Sequence, residues 1–75
     1  MFTFRVVAAH QENLAERCAT LIADAIGRAH NALNEQPSKN GNYRSVRVAV
    51  RVEHAEEIRA AYAALKTISG LKMLL

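Results

Sequence analysis

The chain has 75 residues, 51% of them hydrophobic, with only three glycines and one proline, a balance that excludes a disordered or low-complexity segment. Its single cysteine rules out an internal disulfide, and no apolar run approaches the roughly 18 residues of a membrane span. The formal charge of +3 is a modest excess, and without a block of five like charges it excludes a basic tail for nucleic acid.

A chain of this size reads as one small domain. Such domains bury only about 60% of the surface their unfolded chains expose, so the core is thin. The N-terminus enters a strand-like pattern at once, with no basic stretch and no long apolar stretch behind it, so no signal peptide is expected. Together with the lone cysteine this points to the cytoplasm.

Phe2 to Ala8 alternates as a first strand, with Phe2, Phe4 and Val6 on one side and Thr3, Arg5 and Val7 on the other. From about Glu12 the period changes. Leu14, Cys18, Leu21, Ile22, Ala25 and Ile26 recur at three- and four-residue spacing, opposite Glu16, Arg17, Thr20 and Asp24, which predicts an amphipathic helix stopped at Gly27. A short, polar edge strand is expected around Ala32 to Gln36, because the next strand needs a hairpin partner.

Lys39-Asn40-Gly41-Asn42 supplies the turn, since Asn and Gly tolerate the positive φ of tight hairpins. A third strand follows from Tyr43 to Glu53, where every second residue from Val46 to Val52 is valine. A second helix is predicted over Ala55 to Ile68, with Ile58, Ala61, Tyr62 and Leu65 on its apolar face. Glu56 and Glu57 lie in its first turn, where the helix dipole favours them. Ser69-Gly70 ends it, and Leu71 to Leu75 forms a last strand.

The order is β-α-β-β-α-β, the ferredoxin-like arrangement of the α/β (α+β) class. Four antiparallel strands form one sheet with two helices on a single face. Phe2, Phe4, Val6, Val46, Val48, Val50 and Val52 should meet the helices. The other face is left bare, showing Thr3, Arg5, Val7, Ser45, Arg47, Ala49 and Arg51, with Lys72 or its neighbours.

Pro37-Ser38-Lys39-Asn40-Gly41-Asn42-Tyr43-Arg44-Ser45-Val46 resembles the Pro-Ser-x-x-Gly-x-Tyr-x-Ser-Val signature of the YbeD-like family of small bacterial proteins. Phe2 to Val6, Ala61-Tyr62-Ala63-Ala64-Leu65 and Leu71-Lys72-Met73-Leu74-Leu75 are similar to that family's first strand, second helix and last strand. The resemblance spans nearly the whole chain. It implies a ferredoxin-like sandwich similar to the ACT domains that regulate amino-acid metabolism. It also implies a regulatory role, suggested to touch lipoate metabolism, and no catalytic residues to carry over.

The residues offer little catalytic chemistry of their own. Cys18 lies on the apolar stripe of the first helix and reads as a small core residue. His10, His30 and His54 lack a second ligand at metal-binding spacing, so neither a metal nor any other cofactor is expected. His10 is kept as a candidate because it sits in the loop between the first strand and first helix, which carries ligands in several ferredoxin-like proteins. That loop, Ala8-Ala9-His10-Gln11-Glu12-Asn13, has no glycine, and Glu12 would oppose an anion at the helix N-terminus. An acylphosphatase-like activity is therefore not expected.

Two uses of the bare face remain. Arg5, Arg47 and Arg51 could follow a nucleic acid, but RNA-binding sheets stack bases on aromatic rings, and Tyr43 is the one outward candidate. A protein interface suits the face better, because Val7, Ala49 and Leu74 interrupt the arginines. The edges at strands two and four could also pair between chains. The expectation is a non-enzymatic regulatory or interaction domain with a protein partner or self-association. Its candidate contacts are Arg5, Tyr43, Arg47, Arg51 and His10, with RNA binding as the alternative.

Overall fold

Alternation and helical periodicity place the elements as the residues demand. In the computed structural model, which describes residues 1–39 and 41–75, the chain forms β1 (Phe2–Ala9), α1 (Leu14–Ile26), β2 (Ala32–Pro37), β3 (Tyr43–Val50), α2 (Ala55–Leu65) and β4 (Leu71–Leu74). The four strands make one antiparallel sheet in the order β2-β3-β1-β4. This is the ferredoxin-like α+β fold.

Phe4, Val6 and Ala8 of β1 and Val46, Val48 and Val50 of β3 are fully buried. They pack against Leu14, Cys18 and Ile22 of α1 and Ala61 and Leu65 of α2, so both helices cover the same face of the sheet. Aromatic contacts close one end of this core. The Phe4 ring meets Phe2 at 4.7 Å and Tyr62 edge-on at 5.4 Å between centroids, spacings that favour aromatic pairs.

The β2–β3 hairpin lies where its residues predict it. The Ser38 N–H donates to the Tyr43 carbonyl at 2.8 Å, and the Gly41 N–H to the Ser38 carbonyl at 3.1 Å. Gly41 has φ +74°, a backbone state that side chains disfavour. Asn40, named as part of the same turn, lies outside the described residues. An ion pair between Arg44 and Glu35, 2.6 Å apart, ties the two strands together.

Several boundaries differ from expectation. The first helix begins at Leu14 and not near Glu12, because Asn13 takes a left-handed conformation with φ 56° that an α-helix cannot include. The second helix ends at Leu65. Beyond it the N–H groups of Thr67 and Ile68 bond back three residues, to Ala64 and Leu65, a tightened last turn that still buries Ile68. At Gly70, with φ +71°, a Cβ would stand 2.8 Å from the Cβ of Ala9. The chain can thus turn into β4 directly against β1 only without a side chain there.

The third strand stops at Val50, three residues short of the predicted Glu53. The alternation of Val50 and Val52 continues in sequence, but β1 offers no strand partner beyond Phe2, which pairs with Val50. The Arg51 backbone is claimed instead by the loop after α1. Its N–H donates to the Asn31 side-chain oxygen at 3.2 Å, and its carbonyl accepts from the Arg28 guanidinium. Arg28 also pairs with Glu53 and Glu57, so one side chain joins the end of β3 to the start of α2.

Candidate functional site on the open sheet face

The face away from the helices is ordered by the sheet register. Arg5 lies directly opposite Arg47, Thr3 opposite Ala49, Val7 opposite Ser45, and Ala9 opposite Tyr43. On β2, Asn34 stands beside Arg47 and Gln36 beside Ser45. On β4, Met73 stands beside Val7, and Leu75 exchanges two backbone hydrogen bonds with Arg5, at 2.8 and 2.9 Å. One row across the sheet therefore reads Asn34, Arg47, Arg5, Leu75, and the next Gln36, Ser45, Val7, Met73.

The fourth strand does not alternate simply. Ala8 pairs with Leu71 and Val7 with Met73, so two residues of β4, Lys72 and Met73, oppose a single step of β1. This bulge corrects the expectation that Leu74 interrupts the arginines. Leu74 pairs with core-facing Val6 and packs on the core with Leu71. Met73, 46% exposed, takes the outward place, and with Leu75, 53% exposed, it supplies apolar contact that simple alternation misses.

The predicted contact residues do not gather into one site. Arg5 and Arg47 come together on the two central strands, both exposed. Tyr43 lies four residues from Arg47 along β3, about 13 Å at the rise of a strand. Its ring is covered by the Lys72 ammonium, 4.2 Å from the centroid, a cation–π contact. His10 is at that same end, exposed, its N–H donating to the Asn42 carbonyl at 3.1 Å.

Arg51 lies just beyond the last residue of β3. It is at the opposite end from His10, and its guanidinium lies 3.4 Å from Glu53. The electrostatics separate the arginines further. Arg28, Arg44 and Arg51 each have a carboxylate within 4.0 Å, whereas among the described residues Arg5 and Arg47, like the helix arginines Arg17 and Arg59, have none.

Away from this face the chemistry is structural. Burial pushes the Cys18 thiol up to about 11, so near neutrality it stays protonated in the core. Glu57 is held down to about 2, first by the Glu53 N–H and then by the Arg28 guanidinium and the His54 N–H. Among the described residues no three His, Cys, Asp or Glu side chains are placed to hold one metal ion. No helix is long and apolar enough to cross a membrane. A groove of about 520 Å³ runs between α1 and the α2–β4 connection. Its walls are mostly exposed surface side chains, among them Glu16, Arg17 and Thr67, and it contains none of the predicted contacts.

An open antiparallel sheet backed by two helices, with a mixed basic and apolar outer face, defines a ferredoxin-like α+β domain whose free sheet surface is its most distinctive feature. The chain belongs to the DUF493 family, described as "Protein of unknown function", whose model matches residues 1–75. It is similar to a UPF0250 protein of Haemophilus ducreyi, 34% identical over 74 residues, covering 99% of this chain and 75% of the relative. UPF0250 proteins of Pasteurella multocida and Idiomarina loihiensis are 31% and 30% identical, each over 99% of this chain and 83% of the relative. These matches bear out the likeness to the YbeD-like family of small bacterial proteins.

Proposed function

We propose that residues 1–75 act as a single non-catalytic domain that engages a protein partner through the open face of its sheet. The observation that carries this reading is the placement of exposed apolar side chains. Met1, Met73 and Leu75 are the large hydrophobics exposed among the described residues, and two of those three lie together on this face beside Val7. An outer sheet face that is merely solvated alternates to polar residues, whereas clustered apolar exposure marks a contact surface. The buried, protonated Cys18 and the three separated histidines supply no nucleophile and base in reach of each other. The single free thiol suits a reducing, cytoplasmic compartment. A regulatory task, with its connection to lipoate metabolism, rests on the family likeness alone.

Pull-down from native cell extract tests the surface. Wild type, Met73→Asp and Thr20→Asp are compared, Thr20 being exposed on the helix side. A protein retained by wild type and Thr20→Asp but lost with Met73→Asp supports the proposal, and equal retention by all three overturns it. Light scattering after size exclusion, on the same variants, tells whether that partner is a second copy of the chain.

A further inference from the structure

From the register and ion-pair pattern we infer that Arg5 and Arg47 form one docking point for a pair of carboxylates on an acidic segment of the partner protein. This rests on the preceding reading of the sheet face and names what the face recognises. Like charges directly opposite on neighbouring strands work against pairing, yet these two occupy the central rung of the central strand pair. Elsewhere the chain neutralises its strand and loop arginines, using Glu35, Glu53 and Glu57. Among the described residues no Asp or Glu stands at an outward register position of the sheet, so the two guanidinium groups keep their capacity for carboxylates.

Geometry selects the ligand further. Directly opposed side chains start about 4.5–5.5 Å apart at Cβ, close to the 5–6 Å between residues i and i+4 of a helix. A glutamate pair one turn apart thus reaches both guanidinium groups, each able to take a carboxylate through two parallel hydrogen bonds. Leu75 beside Arg5, and Val7 and Met73 in the next row, give apolar residues between those glutamates a surface to cover. A phosphate backbone would find charge without stacking, because Lys72 covers the Tyr43 ring.

The test uses four probes on the whole chain at low salt. They are a labelled amphipathic helical peptide with glutamates at i and i+4 between leucines, the same peptide with glutamines, a single-stranded RNA oligonucleotide, and inorganic phosphate. The glutamate peptide should bind at least tenfold more tightly than the glutamine peptide. Arg47→Gln and Arg5→Gln should each weaken it several-fold, and Arg59→Gln, an exposed helix arginine that makes the same charge change, should not. Circular dichroism confirms that each variant is folded.

Equal binding of both peptides overturns the inference, as does tighter binding of RNA or phosphate that is lost in the same arginine variants. If Met73→Asp loses the native partner while Arg5→Gln/Arg47→Gln keeps it, the carboxylate docking point falls and the face survives as an interface. If neither loses the partner, both fall. Self-association that disappears in Arg5→Gln/Arg47→Gln would assign the site to a second copy and overturn the separate acidic partner.

Discussion

Reversing one charge on the central rung should stabilise the fold and impair its surface at once. In Arg47→Glu the opposed Arg5 gains a cross-strand partner in place of a like charge. A directly opposed pair of opposite charges contributes about 0.2–1 kcal/mol, and a like-charged pair costs a comparable amount. The swing is then roughly 0.5–2 kcal/mol, and because both positions are exposed the lower half of that range, about 1 kcal/mol, is expected. A chain of this length is stable by about 4–11 kcal/mol in all, and 1 kcal/mol moves Tm by about 4–8 °C.

Thermal unfolding followed by circular dichroism should show Arg47→Glu melting above wild type in about 0.01 M salt. The gain should shrink in 1 M salt as the screening length falls from roughly 30 to 3 Å. Arg47→Gln, which removes the repulsion without adding attraction, should fall between the two. Arg5→Glu/Arg47→Glu should return the gain, because the rung again carries like charges. If Arg47→Glu melts no higher than Arg47→Gln at low salt, or if its gain ignores salt, the two arginines do not oppose one another as described.

Glu57→Gln probes the junction of β3 and α2. The folded carboxyl is held down to about 2 from its ordinary 4.5, so its contribution is present above pH 4.5 and is lost as pH falls towards 2. The variant should melt below wild type at pH 7 and lose less on acidification to pH 3, and parallel Tm curves for the two proteins would contradict this. Gly70→Ala should cost about 1–3 kcal/mol in urea unfolding, because its Cβ meets the Cβ of Ala9 at a positive φ; an unchanged midpoint would contradict the close approach. Cys18 should resist iodoacetamide at pH 8 in the native protein and react fully in denaturant, since burial pushes its thiol up to about 11. Rapid native labelling would place it outside the core.

How much of this was legible before the structure depends on which physics each feature obeys. The core was legible because period two and period 3.6 are local properties. Phe4, Val6, Val46, Val48 and Val50 could be assigned inward from spacing alone, and all are buried. The hairpin was legible because a Gly-containing turn between two extended runs allows few alternatives. The end of β3 was not, since Val52 prolongs the pattern while the strand end is set by Arg28 and Asn31, some 20 residues earlier in the chain.

The candidate site divides along the same line. Arg5 and Arg47 were both placed on the bare face by alternation, but their direct opposition needs the β1–β3 register, which no single strand encodes. Simple alternation through β4 selects Leu74 and passes over Met73, whereas the bulge opposite Val7 and Ala8 turns Lys72 and Met73 outward together.

That bulge has a further consequence for how the molecule behaves among its own copies. A regular outer strand is a template on which another chain can extend the sheet, and from there fibres can grow. Here one border of the sheet is only four residues long and broken by the two-for-one step at Lys72 and Met73, so a foreign strand finds no straight row of donors and acceptors. The other border ends in Pro37, which has no N–H to offer. Both borders therefore carry a feature that works against open-ended strand addition.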